Sequence, residues 1–200
     1  MQFESNNIYH IYNRGNNSQQ VFFSPENYMF FLQKVKTYIR PHADILAWCL
    51  MPNHFHLMIY VNDFEIDVIE KKPECHQKSK KRNLNDSISI LLRSYTRAIQ
   101  VQEKRTGSLF QHRTKSVCLT ESTGVSPAWG ESNSGSIIFI YDAEKEYPQI
   151  CFDYIHRNPV NAGLVKKPED WQYSSFQDYC GIRNGDIIHR DRAREFGLNW

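Results

Sequence analysis

The strongest constraint on this chain is a pair of apolar runs, Ile45 to Leu50 and His54 to Val61, held apart only by Met51-Pro52-Asn53. Runs this short, rich in aromatic and branched residues and broken by a proline that tolerates only a turn or an edge, predict a β hairpin. The second run opens with His54-Phe55-His56-Leu57. Side chains alternate between the faces of a strand, so both histidines emerge on one side while Phe55 and Leu57 turn into the core. Two imidazoles placed in this way grip a divalent cation and leave most of its coordination sphere open to substrate oxygens. Taken alone, the tripeptide is more often an ordinary half-exposed strand, so the rest of the chain has to decide.

At 200 residues and with no internal repeat, the chain is expected to form one domain around one substantial core. Its formal charge of +2 says little, but the distribution says more. Between Lys71 and Lys115 twelve Lys or Arg residues face three acids, Glu74, Asp86 and Glu103, a local balance of +9. Such concentration suits a polyanionic partner, and by itself it suits a solvated loop and helix face about equally well. The five cysteines, at 49, 75, 118, 151 and 180, are odd in number and form no Cys-x-x-Cys pair, which fits a reducing compartment. Cys75-His76 lacks the partners of a zinc site. The first residues show no basic stretch followed by an apolar core, and no apolar run approaches the roughly 18 residues of a membrane span. A soluble, cytoplasmic protein is expected.

Ile8 to Arg14 reads as a first strand closed by Gly15-Asn16-Asn17, and Ser24-Pro25-Glu26-Asn27 as the start of a helix running to about Arg40. After the hairpin, the lysine-rich segment from about 62 to 85 is expected to be a loop or short helix facing solvent. Asn85-Asp86-Ser87 then caps a second helix, whose Ile88, Leu91, Leu92, Tyr95, Ile99 and Gln102 share one side. Lys115 to Thr120 predicts a short strand, Glu121 to Gly135 a long loop, and Ile137 to Tyr141 a brief apolar run compatible with a strand. A last helix, Asp142 to Arg157, is expected to stop at Asn158-Pro159. Hairpins and helices without βαβ repeats argue for an α+β architecture, an antiparallel sheet with helices on one face. His10 could reach the histidine pair or simply bond within the sheet, the structural role being preferred, and His156 is expected to fix the end of the last helix.

Five segments occur together: Tyr9-His10-Ile11-Tyr12-Asn13-Arg14-Gly15-Asn16; Trp48 to Leu57; Ser94-Tyr95-Thr96-Arg97; Arg105-Thr106-Gly107-Ser108-Leu109-Phe110-Gln111-His112-Arg113; and Tyr154-Ile155-His156-Arg157-Asn158-Pro159 with Val160 to Val165, followed by Trp171-Gln172-Tyr173-Ser174-Ser175. In this order, across most of the chain, they resemble the single-tyrosine HUH transposases, and within them the REP-associated tyrosine transposases. The resemblance implies a ferredoxin-like fold, with residues 1–165 as catalytic domain, insertions near 62–85 and 121–136, and an extension at 166–200 packed on it. It implies a divalent metal, Mg2+ or Mn2+, held by His54 and His56, with Tyr95 as the nucleophile that leaves a 5′-phosphotyrosine and a free 3′-OH. It also implies an amide ligand from the nucleophile's helix, for which Gln100 and Gln102 are both candidates.

The partner so implied is single-stranded or hairpin DNA. Its candidate contacts are Lys78, Lys80, Lys81 and Arg82 beside the helix of Tyr95, together with Arg14, Arg93, Arg97, Arg105, Arg113 and Lys115. Homodimer and monomer both suit the resemblance. A phenol with a pKa near 10 is a poor nucleophile at neutral pH, so a cation that draws charge from the phosphate suits such a site. The alternative is a domesticated DNA-binding protein of the same fold that no longer cuts. A metal-dependent hydrolase of small substrates is more remote, because it has no use for the basic segment.

Overall fold

The structure is a computed structural model and describes residues 1–69, 79–120, 128–132, 135–139 and 143–200. In chain order the strands are β1 (Ile8–Arg14), β2 (Ala43–Met51), β3 (His54–Val61), β4 (Glu65–Ile69), β5 (Ser79–Asn83), β6 (Lys115–Cys118), β7 (Ala128–Ser132) and β8 (Gly135–Phe139). The helices are α1 (Pro25–Tyr38), α2 (Leu84–Gln102), α3 (Ala143–Asn161), α4 (Phe176–Tyr179) and α5 (Arg190–Glu195). The central sheet has the order β2-β3-β1-β6 with every neighbouring pair antiparallel. With α1 and α2 as its two crossovers, this is the split β-α-β-β-α-β arrangement of ferredoxin-like folds. The hairpin turn is tighter than expected: Met51 pairs with His54, leaving only Pro52 and Asn53 outside the strands.

Helices cover both faces of this sheet, which corrects the expectation of helices on one. β2 and β3 are buried along almost their whole length, and a strand apolar on both sides needs cover on both. Trp48, Leu50, Phe55, Leu57 and Ile59 pack under Phe31, Leu32 and Val35 of α1 and Leu91, Tyr95 and Ile99 of α2. Ala47, Cys49, Met51, Met58 and Tyr60 pack instead under Cys151, Phe152 and Ile155 of α3. Burying a side chain the size of Phe152 or Ile155 contributes about 1.5–3 kcal/mol, enough to hold α3 in place without a strand of its own.

α3 also runs further than its proline suggests. It passes through Pro159 to Asn161 and closes with the Leu164 N–H on the Pro159 carbonyl and the Gly163 N–H on that of Val160. Gly163 adopts φ +70°, the left-handed position this Schellman ending requires. Asn158 is therefore a helical residue, one turn beyond Tyr154. The loops at 62–85 and 121–136 need correction too: β4 and β5 pair from Glu65 opposite Asn83 to Ile69 opposite Ser79, and β7 pairs with β8. Alternation of Phe64, Ile66 and Val68 with polar residues was the signal for the first of these hairpins.

The chain beyond 165 lies along β2, the sheet's edge. Leu50 N–H donates to the Tyr173 carbonyl and Ser175 N–H to that of Trp48, both at 2.9 Å, while the Tyr173 ring stacks on Tyr28 at 3.6 Å. An edge bonded in this way offers no open ladder to other chains. His156 of α3 joins the same seam, its Nε2 2.8 Å from Ser175 Oγ.

Burial holds the His156 imidazole neutral and lowers its pKa to about 3. Because the folded value lies below the unfolded one, near 6.5, this group's stabilisation is complete above pH 6.5 and is lost as pH falls toward 3. The expected slope is about 1.4 kcal/mol per pH unit once the unfolded state is protonated. Urea unfolding of the wild type and His156→Gln between pH 7 and 4.5 should show the variant losing less stability by about that slope. Parallel pH profiles would show that this histidine is protonated in the fold.

Candidate active site

Strand alternation puts His10, Tyr12 and Arg14 of β1 on the same face as His54 and His56 of β3, with Tyr12 directly opposite His56 and Arg14 opposite His54. That face lies under α3. Tyr154 and Asn158 are four residues apart on this helix and so share one side of it. The Tyr154 ring stands edge-on to His56 with centroids 5.4 Å apart. The Asn158 carboxamide reaches both histidines: its Oδ1 is 3.1 Å from His54 Nε2 and its Nδ2 is 3.3 Å from His56 Nε2.

Each imidazole is also held from behind. His54 Nδ1 is 2.6 Å from Asn53 Oδ1, which can only accept, so the proton sits on Nδ1. His56 Nδ1 is 2.9 Å from His10 Nε2. Since His56 Nε2 accepts from Asn158, its Nδ1–H donates to His10. Both Nε2 lone pairs thus point toward the one carboxamide. That of His56 accepts from Nδ2, while that of His54 faces the acceptor Oδ1 with no proton between them, an opposition that a shared cation would relieve. Burial and the neighbouring His54 and His10 hold His56 well below the usual histidine range, and burial brings His10 to about 3, so neither is charged at neutral pH.

Two imidazole nitrogens and an amide oxygen, the imidazoles oriented through their far nitrogens, make a donor set that suits Mn2+ or a similar divalent cation. Among the described residues no three His, Cys, Asp or Glu side chains form a metal-binding group. Among the described residues, Asn158 Oδ1 is the group placed to join the two imidazoles around a cation.

Tyr95 is elsewhere. Its side chain is 0% exposed, its hydroxyl donates to the Val21 carbonyl at 2.7 Å, and its ring packs against Phe22, Phe31 and Phe110. Burial pushes its pKa upward, and the sheet separates it from the histidine pair. Gln100 donates to the Gly107 carbonyl and Gln102 accepts from Asn27, both on the same far face. None of the three shares a site with His54 and His56, whereas the sequence-based assignment of nucleophile and amide requires that they do. The missed pair, Tyr154 and Asn158, was visible as a tyrosine and an amide one helical turn apart, but ending the helix at Asn158 hid their common face.

The basic residues divide by position. Arg14 lies beside His54, Lys115 is paired with Tyr12 across β1 and β6 with its Nζ 5.6 Å from the Tyr12 ring, and Arg113 is exposed just before that strand. Arg105 donates to Gln19, and Arg93 and Arg97 are exposed on α2, across the sheet. Lys80, Lys81 and Arg82 lie on the β4–β5 hairpin beyond the far end of β3, roughly 23 Å of strand from His54. There Lys81 pairs with Glu65 at 2.8 Å and Arg82 lies over Tyr38. Lys78 is outside the described residues.

The fold has a counterpart among solved structures. A REP-associated tyrosine transposase bound to a REP hairpin superposes with a TM-score of 0.57 at 17% identity, covering 94% of this chain and 92% of that one. The chain shares the fold of that transposase. The match includes a four-stranded antiparallel sheet with helices packed against it. No family model and no curated protein matches the chain. No described helix is long and apolar enough to cross a membrane.

Proposed function

We propose that the protein nicks and rejoins single-stranded or hairpin DNA through a 5′-phosphotyrosine on Tyr154. The observation that carries this reading is the meeting of Tyr154 and Asn158 of α3 with His54 and His56 of β3, in a fold shared with a transposase that was solved on hairpin DNA. In the reaction the Tyr154 oxygen bonds to the scissile phosphorus as the bond from phosphorus to the 3′ oxygen breaks. The phenolic proton leaves, and the 3′ oxygen takes one up. His54, His56 and Asn158 would hold a divalent cation, which when bound would draw charge from the phosphate and make it a better target for a weak nucleophile. Asn53 and His10 orient the two imidazoles. The aryl phosphate ester keeps the bond energy, so a later attack by a 3′-OH reverses the step without ATP.

The test is incubation with end-labelled single-stranded and hairpin oligonucleotides in Mn2+, followed by a denaturing gel. A covalent protein–DNA band supports the reading, whereas binding without a band supports the idle DNA-binding alternative.

Position also ranks the basic residues. Each phosphate contact to a single strand contributes about 0.7 to the log–log salt slope. Replacing Arg14, Arg113 and Lys115 together by Ser should flatten the slope by up to roughly 2 units while leaving sequence preference intact. The Lys80→Ser, Lys81→Ser pair should change it by less than about 0.7, because these charges are remote and opposed by Glu65 and Asp67. The reverse ranking would move the DNA path to the β4–β5 hairpin.

A further inference from the structure

We infer that His10 is a positioning residue that fixes the tautomer of His56 and thereby makes its Nε2 a metal-ready lone pair. This inference rests on the metal site proposed above, and it gives His10 a role at that site where its strand position favoured a structural one.

A neutral imidazole carries one N–H, and the choice of nitrogen follows the hydrogen bond that the other nitrogen makes. His56 is 3% exposed, so water is not on hand to settle the matter. Its Nδ1 faces His10 Nε2 at 2.9 Å. If His10 presents a lone pair, His56 is protonated at Nδ1 and its Nε2 is open to a cation. If that acceptor is removed, the Nδ1–H tautomer leaves a buried donor unpaired. The alternative tautomer then gains once the Asn158 carboxamide turns over to present Oδ1 instead of Nδ2 to the new Nε2–H, and a proton stands where the cation has to bind.

The position of His10 is itself held. Its ring packs against both Tyr12 and His56, at centroid distances of 4.8 and 5.1 Å and 25° from each, with Tyr154 edge-on at 6.1 Å, and it is 8% exposed. Few rotations remain by which it can swing its Nε2 away. His54 receives the same service from a neighbour in the turn, Asn53. Each ligand thus has its own backing acceptor, one from the hairpin turn and one from the adjacent strand.

Two variants separate orientation from mere packing. His10→Gln keeps a side-chain acceptor, while His10→Leu fills similar space and offers none. Long-range proton–nitrogen NMR of the metal-free protein reads the His56 tautomer directly, and titration with Mn2+ alone reads affinity without DNA or turnover. Expected are an unprotonated His56 Nε2 in the wild type and His10→Gln, and a shift toward protonated Nε2 in His10→Leu. Mn2+ affinity should fall about 10- to 100-fold in His10→Leu, the usual cost of losing such a backing group, and recover most of that in His10→Gln. If His10→Leu leaves the tautomer unchanged, the inference is overturned. Should the wild type fail to bind Mn2+, the metal reading falls, and the NMR comparison still decides whether His10 sets the tautomer.

Discussion

Replacing Tyr154 by Phe is expected to abolish the covalent protein–DNA adduct while leaving folding and DNA binding near wild type. The change deletes one oxygen and keeps the ring that stands against His56 and His10. Tyr95→Phe is expected to do the opposite. It removes the hydroxyl that donates to the buried Val21 carbonyl, so it should cost about 1–2 kcal/mol of stability and leave adduct formation intact. The two variants, compared on one denaturing gel and one urea curve, give crossed outcomes. An adduct that survives in Tyr154→Phe and vanishes in a folded Tyr95→Phe would require α2 to leave the sheet face it covers.

The second large effect is loss of metal-dependent cleavage. His54→Ala, His56→Ala and Asn158→Ala should each eliminate cleavage in Mg2+ or Mn2+, with Mn2+ the better partner for imidazole in the wild type. Binding to the folded state alone raises stability by about 2.7 kcal/mol at a ligand concentration one hundred times the dissociation constant. The wild type should therefore show a Mn2+-dependent rise in melting temperature that the three variants lack. Gln100→Ala and Gln102→Ala should keep it, since both side chains are engaged across the sheet. Undiminished cleavage in EDTA would remove the cation from the mechanism.

How much of this was legible in the sequence differs from element to element. Strand periodicity alone placed His54 and His56 on one face and Phe55 and Leu57 on the other, and the structure keeps that division. The helix start at Ser24-Pro25 was equally local: Asn27 Oδ1 accepts from the Phe23 and Ser24 backbone. Both features depend on neighbours within a few residues, which is why they can be read from the chain. The proline rule that ended the last helix at Asn158 is local as well, and it was wrong by three residues. There the packing of Phe152 and Ile155 and the closing bonds after Pro159 outweigh one missing backbone bond.

What local patterns do not say is which face of a two-sided sheet a helix covers. α2 and α3 both carry a tyrosine and an amide on one side, and periodicity reports only a residue's bearing around its own helix. The choice follows from connections. β1 to β2 through α1 and β3 to β6 through α2 are crossovers between parallel strands, and with right-handed crossovers both helices fall on the same face. The larger apolar stripe, Phe55, Leu57, Ile59 and Val61, meets them there. α3 follows the last strand of the sheet and is free of that rule, and it takes the face left open, where the histidines are. The residue types and the strand register were thus set by the sequence itself, whereas the meeting of Tyr154 and Asn158 with His54 and His56, about a hundred residues apart, was decided only by tertiary packing, because contact across that separation depends on the whole sheet having formed first.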